Sequence, residues 1–298
     1  MKRLFLLIFS IGIGFANRAD AAACCGGGLA LPALIVGDDR AQVTTSYAYS
    51  QVIDDVAADA TWQTRDSVET SETFKLEAAH IFWDRWQAGF AIPIVRRTRG
   101  GYASSGPGDV AATVGYEYLP DWDYNPWRPR GLGFLQLTAP TGRSVYETDG
   151  PYQLDSRGRG FWTLSAGTLL SKVVGKYDLF TTIEGHRSFE RSYQHTHLQE
   201  TLHPGYGTDL GIGGGYNLAK LRFGGSITWS YEDPVDVTGT ESSNGYAQQF
   251  ATAALTAGYL FDDWIASASY MDQTLFGQPL NTTLGRGATV ILQRHWFR

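Results

Sequence analysis

The feature that most narrows the folds open to this chain is an alternation of period two sustained over a whole strand length. From Leu221 to Glu232 the odd positions are Leu221, Phe223, Gly225, Ile227, Trp229 and Tyr231, and the even ones are Arg222, Gly224, Ser226, Thr228, Ser230 and Glu232. Successive side chains of a β-strand point to opposite faces, so this segment has one greasy face and one polar face. The pattern recurs. Gln42–Gln51 sets Val43, Thr45, Tyr47 and Tyr49 against Gln42, Thr44, Ser46 and Ser50, and Thr73–Phe82 sets Phe74, Leu76, Ala78, His80 and Phe82 against Thr73, Lys75, Glu77 and Ala79. Trp86–Arg97 and Asp109–Tyr118 behave alike, and Gly131–Ala139, Phe161–Ser171, Lys176–Glu190, Tyr206–Asn217, Tyr246–Phe261, Trp264–Gln273 and Gly287–Phe297 complete a set of twelve. An even number of half-greasy strands is what a closed bacterial barrel requires.

The connections and the large aromatics make the same point independently. Tight turns at Trp83-Asp84-Arg85, Val174-Gly175, Asn217-Leu218-Ala219 and Asp262-Asp263 alternate with long polar loops near 54–70, 140–160, 190–205, 232–245 and 274–285; Pro120–Arg130 is the one longer link on the short side. Short periplasmic turns and long extracellular loops are the known asymmetry of membrane barrels, which places both termini on the periplasmic side. Of the 16 tyrosines, 15 phenylalanines and 9 tryptophans, many fall in two belts: Phe82, Trp83, Trp86, Tyr118, Trp122, Tyr216, Phe223 and Trp264 at one end, Tyr49, Phe74, Trp162, Trp229, Tyr231 and Tyr270 at the other. Phe223 to Tyr231 is eight steps of ~3.3 Å, roughly 20 Å of depth at a tilt of ~40°. After residue 16 no run of about 18 apolar residues exists, so helical spans are excluded. A soluble β-sandwich or lipocalin-like barrel also alternates, but it needs neither belts nor alternating loop lengths. The expected fold is therefore all-β, a closed antiparallel transmembrane barrel of about twelve strands occupying residues 41–298. Pro93 lies inside a strand, deletes a ladder donor and so predicts a bulge. Arg294 falls on the greasy face beside Leu292 and Trp296, a position tolerable only near an interface.

The start of the chain has a different character. Lys2 and Arg3 precede an apolar run from Leu4 to Ala16 and then Asn17-Arg18-Ala19-Asp20-Ala21-Ala22-Ala23, the order of a secretory signal peptide over residues 1–23, with cleavage after Ala21 or Ala23. Residues 24–40 read as an N-terminal periplasmic lead. Cys24 and Cys25 are the only cysteines, so no disulfide can staple the barrel; a lipid-anchored start at Cys24 competes with a plain Cys-Cys-Gly-Gly-Gly tail. The formal net charge of −6 becomes more negative once the basic leader is removed, which argues against a nucleic-acid partner.

Several segments are familiar. Gly108-Asp109-Val110-Ala111-Ala112-Thr113-Val114-Gly115-Tyr116, then Gly131-Leu132-Gly133-Phe134-Leu135-Gln136-Leu137, then Ala139-Pro140-Thr141-Gly142-Arg143-Ser144 resemble the outer-membrane proteins of the phenol-degradation meta-pathway family, and Phe82-Trp83-Asp84-Arg85-Trp86 looks like its turn. The resemblance implies a barrel of a Gram-negative-type outer membrane that passes small organic molecules, hydrophobic or aromatic ones included. Implied surroundings are outer-membrane lipids, lipopolysaccharide and the barrel-assembly machinery.

With this register the lumen-facing ionisable groups are Lys75, Glu77, Arg97, Asp109, Glu184, His186, Asp209 and Glu232. Mixed signs across a lumen either line a polar path for a solute or knit into a plug. Two other chemistries compete with this reading. His186 and Ser188 share a face at i and i+2, as an acyl-transfer pair would, which would suit an outer-membrane phospholipase or lipid A deacylase; yet Leu179, Ile183 and Phe189 claim the lipid face and leave both inside. His195, His197 and His203 lie in a loop with irregular spacing, and the acidic stretch Glu232-Asp233-Pro234-Val235-Asp236 lacks the spacing of a calcium loop. No catalytic residue, metal or cofactor is expected. The sequence supports a passive channel for small solutes first, a lipid hydrolase second, and a closed barrel recognising partners through its loops third.

Overall fold

The computed structural model describes residues 32–123, 125–195, 198–240 and 242–297. The proposed signal peptide, Cys24 and Cys25 lie outside the described residues. Sixteen strands and two short 3-10 turns make up the described part. In chain order the strands are β1 Asp39–Val56, β2 Trp62–Phe82, β3 Trp86–Arg99, β4 Tyr102–Pro107, β5 Val110–Leu119, β6 Arg130–Ala139, β7 Thr163–Val174, β8 Tyr177–Ser188, β9 Arg191–His195, β10 Leu198–Pro204, β11 Tyr206–Leu218, β12 Leu221–Glu232, β13 Val235–Gly239, β14 Gln248–Phe261, β15 Trp264–Asp272 and β16 Thr282–Phe297. Each wall strand pairs antiparallel with its neighbours, and β1 pairs with both β2 and β16, so the sheet closes on itself. Counting β4 and β5 as one interrupted stave, the barrel has twelve. Both ends of the wall, Asp39 and Phe297, meet at the end that carries the short turns.

The wall is greasy outside and polar inside, the reverse of a soluble barrel. Leu221, Phe223 and Ile227 are exposed on the outer face, while Arg222 and Thr228 next to them are buried. Tyr177 packs on Tyr216 and Trp86 on Tyr116 near the short turns, and Trp229 stacks on Tyr231 at the far end, giving the two aromatic belts. Arg294 lies over the rings of Trp264 and Trp296, at 5.5 and 4.9 Å, so its charge is held at the belt instead of in the apolar band. Leu255, 69% exposed in the middle of β14, carries this surface most directly. A lysine there is expected to cost about 2–4 kcal/mol in lipid. Urea titration of Leu255→Lys in phospholipid vesicles, followed by heat-modifiable gel mobility, checks this; unchanged stability would mean that this face does not meet lipid.

The bulge predicted from Pro93 is present, on the strand opposite. Ile94 faces Pro107 but Ala91 faces Ala111, which leaves one extra residue on the interrupted stave at Gly108-Asp109. Gly108 N–H donates to the Pro93 carbonyl at 2.9 Å. Above the bulge β4 pairs with β3 alone, whereas β5 pairs with both β3 and β6. The wall is thus notched above Ala139.

Three expected loops are structured. The segment expected as a loop over 54–70 is mostly strand, with β1 and β2 running to Val56 and from Trp62 and leaving only 57–61 as the tip. Gln63, Thr64, Arg65, Asp66 and Ser67 show no greasy face because the hairpin continues beyond the apolar band, where both faces can be polar. The loops near 190–205 and 232–245 contribute β9, β10 and β13, which pair into a separate three-stranded sheet.

Candidate functional site

The barrel interior is narrowed from both ends by chain that belongs to neither wall. At the short-turn end the segment preceding β1 folds against the inner face. Ile35 is 1% exposed and packs on Ala79 and Ile81, and Leu34 packs in a cluster with Leu132, Phe134, Leu169 and Phe180, with Val36 beside it. Its backbone is held by side chains of the wall. Ile35 N–H donates to Gln87 Oε1 at 2.6 Å, Gln87 Nε2 donates back to the Ile35 carbonyl at 3.1 Å, and Gln42 Nε2 donates to the Leu34 carbonyl at 3.0 Å. Gly89 permits the approach, since a Cβ there would stand 2.1 Å from the Ala33 carbonyl oxygen. The expected periplasmic lead of residues 24–40 is therefore, over its described residues, a segment docked inside the barrel, and its last residues, Asp39 and Arg40, already belong to β1.

At the other end the 140–162 loop folds down as a strap. Its first 3-10 turn is capped by Ser144, whose hydroxyl accepts from Tyr146 N–H while Glu147 accepts from Ser144 N–H. Asp109, at the bulge, accepts the backbone N–H groups of Gly142 at 2.9 Å and Arg159 at 2.7 Å. A Cβ at Gly158 would fall 2.2 Å from that carboxylate, so the close pass depends on glycine. From β3, Arg97 donates to the carbonyls of Ser156 and Gln153 and pairs with Glu69 at 2.5 Å. Arg159 then reaches the opposite wall, pairing with Glu232 at 2.5 Å and lying 3.1 Å from His186 Nε2. Arg191 ties the strap from outside through the Gly160 carbonyl and Glu147. The strap is thus anchored to β3 and to β8 and β12, staves on different sides of the barrel.

All eight residues expected to face the lumen lie on that side. Lys75 pairs with Glu77 at 3.0 Å; Arg97 and Asp109 hold the strap; His186 Nε2 lies 3.0 Å from Glu232; Glu184 stands directly opposite Asp209 across the β8–β11 ladder. His186 and Ser188 are both buried on the inner face, but Ser188 Oγ shares its hydrogen bond with Thr163 at 2.9 Å and His186 faces Glu232 and Arg159. Of the loop histidines, the side chains of His195 and His197 lie outside the described residues, and His203 engages Thr238 and Glu190. Asp233 accepts Tyr206 N–H and serves the turn between strands. The residue pattern does not reveal the docked segment, Gln87, Arg159 or Arg157, the strap arginine that donates to Ser104 Oγ on β4 at 2.8 Å. The unbroken apolar run Ala33-Leu34-Ile35-Val36 just before the first strand was the available signal for the segment.

A closed twelve-stave antiparallel barrel, apolar outside and polar within, is the architecture of outer-membrane β-barrel proteins. No family model matches the chain. Among solved structures it is similar to the COG4313 outer membrane channel from Pseudomonas putida F1, with a TM-score of 0.72 at 14% sequence identity, covering 88% of this chain and 97% of that one. Lower similarities, each at a TM-score of 0.48, reach the β domain of the Bordetella autotransporter BrkA, 12% identical over 86% of this chain and 100% of that one, and the TodX ΔS2S3 monoaromatic hydrocarbon channel mutant, 9% identical over 87% and 91%.

Proposed function

We propose that this protein is a passive channel for small solutes, hydrophobic and aromatic ones among them, in the outer membrane of a Gram-negative-type bacterium. The observation that supports it is the lumen itself. About eight staves already enclose a space that inner side chains fill, and twelve enclose more. Here the extra space holds two chain segments, the strap fastened by polar contacts and the N-terminal segment by polar contacts and apolar packing together. The lumen wall is graded, charged under the strap and apolar around Phe134 and Phe180 where the docked Leu34 now lies, so that a solute with a small polar group and an apolar body fits once that segment moves. The notch above Ala139, lined on its β4 side by Arg157 of the strap, offers such a solute a way out toward the membrane when the strap moves. The resemblance to the phenol-degradation meta-pathway proteins points the same way. In this reading the chain is exported by a cleaved signal peptide and inserted by the barrel-assembly machinery. Its greasy belt then lies in outer-membrane lipid and lipopolysaccharide, with both termini in the periplasm.

Lys75, Glu77, Arg97, Asp109, Glu184, His186, Asp209 and Glu232 then border the solute path, and Arg159 crosses it. Planar-bilayer recording tests the proposal. Arg159→Ala is expected to raise the single-channel conductance and to shift the reversal potential toward cations, because Glu232 loses its arginine partner. Absence of conductance, together with absence of solute entry in liposome swelling for every small solute tried, would overturn the channel reading.

A further inference from the structure

Of the carboxylates on the inner wall, Glu69, Glu77, Glu117, Asp178 and Glu232 each pair with a lysine or arginine within 3.0 Å. Glu184 and Asp209 do not: among the described residues neither forms an ion pair with lysine or arginine. They occupy directly opposed positions on β8 and β11, the arrangement in which like charges repel most. Asp209 has a hydroxyl partner, Ser230 Oγ donating to it at 2.5 Å, and Ser165 stands near Glu184. His186, two residues along β8 on the same face and 6% exposed, stands beside them, so that one ligand atom from each of Glu184, His186 and Asp209 lies within 4.8 Å of the others.

We propose that Glu184, His186 and Asp209 form a binding site for a divalent transition-metal ion. The missing positive charge is what the two carboxylates lack, and the imidazole selects its kind. Carboxylate oxygens alone favour hard ions such as magnesium or calcium, whereas a buried imidazole added to them favours zinc and its neighbours. Ligand atoms at ~2.0–2.1 Å from one ion stand about 3.3 Å apart when tetrahedral, a contraction that rotation of the Glu184 and Asp209 side chains supplies. Three protein ligands leave a coordination position open to water from the lumen. Ser230 orients the Asp209 carboxylate, and Glu232 and Arg159 meet the imidazole at Nε2, which leaves Nδ1 as the ligating nitrogen. The site lies under the strap, where Arg159 bridges the two walls, so that a bound ion adds positive charge at the narrow part of the lumen.

This inference goes beyond solute passage and is measured without it. The full mature chain, purified in detergent without a histidine tag, is titrated with Zn²⁺ by calorimetry and with Co²⁺ by visible absorption. We expect one Zn²⁺ per barrel and, for Co²⁺, the absorption bands of a nitrogen- and oxygen-ligated ion. His186→Ala should weaken binding by more than about tenfold, and the shape-preserving pair Glu184→Gln with Asp209→Asn should do the same while keeping heat-modifiable mobility on gels. Three results would overturn the proposal: no Zn²⁺ binding by the wild-type chain, undiminished binding in both variants, or binding lost only when His195, His197 and His203 are replaced by alanine. Conductance with no metal bound would leave the channel standing and remove the site; metal bound with no conductance would do the reverse.

Discussion

Removal of residues 24–36 from the mature chain should raise single-channel conductance several-fold and lower the temperature at which the barrel loses its compact gel mobility. The expected size follows from what these residues touch. Ile35 is almost wholly buried between Ala79, Ile81 and Gln87, and truncating one such aliphatic side chain to alanine costs about 2–5 kcal/mol. Leu34 covers the apolar inner patch of Leu132, Phe134, Leu169 and Phe180, so its loss also rewets that wall. Gln87→Ala is the milder companion. It removes two hydrogen bonds to the Ile35 backbone and leaves buried groups unsatisfied at about 1–3 kcal/mol, and it should give brief openings of larger amplitude instead of a steady increase. If both variants conducted as the parent does, the docked segment would not restrict the lumen.

Glu69→Ala should be the most damaging single substitution in the outer half of the barrel. This carboxylate, 3% exposed, is the common partner of Arg65, Arg97 and Arg99. Removing one member of a buried ion-pair network strands the rest and costs about 3–5 kcal/mol. The consequence reaches the strap, because Arg97 carries the Ser156 and Gln153 carbonyls on its other nitrogen. Urea unfolding should show the loss in stability, and hydrogen exchange should show faster exchange over 150–160. A loss of stability with unchanged exchange would separate the arginine network from the strap.

How much of this was legible in the sequence depended on whether the physics was local. The wall was: a strand in lipid must be greasy on one side, and Leu221, Phe223 and Ile227 against Arg222 and Thr228 display that requirement over a few residues. So was the bulge, because Pro93 lacks its N–H wherever the chain goes. The faces of the eight lumen-lining residues followed from the same register. The narrowing did not, for two reasons. Leu132, Phe134, Leu169 and Phe180 point inward against the polar-inside rule, and they do so because Leu34 and Val36, far away in the chain, lie on them. The strap has no period at all. Its position comes from Asp109, Arg97 and Glu232 on the wall meeting Gly142, Ser156 and Arg159 in the loop, a set of contacts that sequence spacing does not encode. Asp109 could be placed on the lumen side beforehand, but its work as an acceptor for two backbone N–H groups belongs to the folded chain alone.

The pairing of β1 with β16 sets the order in which this molecule can be completed. It runs the whole height of the wall, from Asp39 opposite Phe297 to Val56 opposite Thr282, and is fastened at the bottom by His295 Nδ1 and Asp39 at 2.9 Å, 256 positions apart in the chain. Every other seam of the wall joins strands that are near neighbours in sequence. This one joins the two ends of the wall and pays the largest loop-closure entropy in the fold. Until it forms, the two longest runs of unpaired backbone lie at the rims of an open sheet, exposed to aggregation. A chain shortened by its final strand is therefore an unclosed sheet, not a smaller barrel.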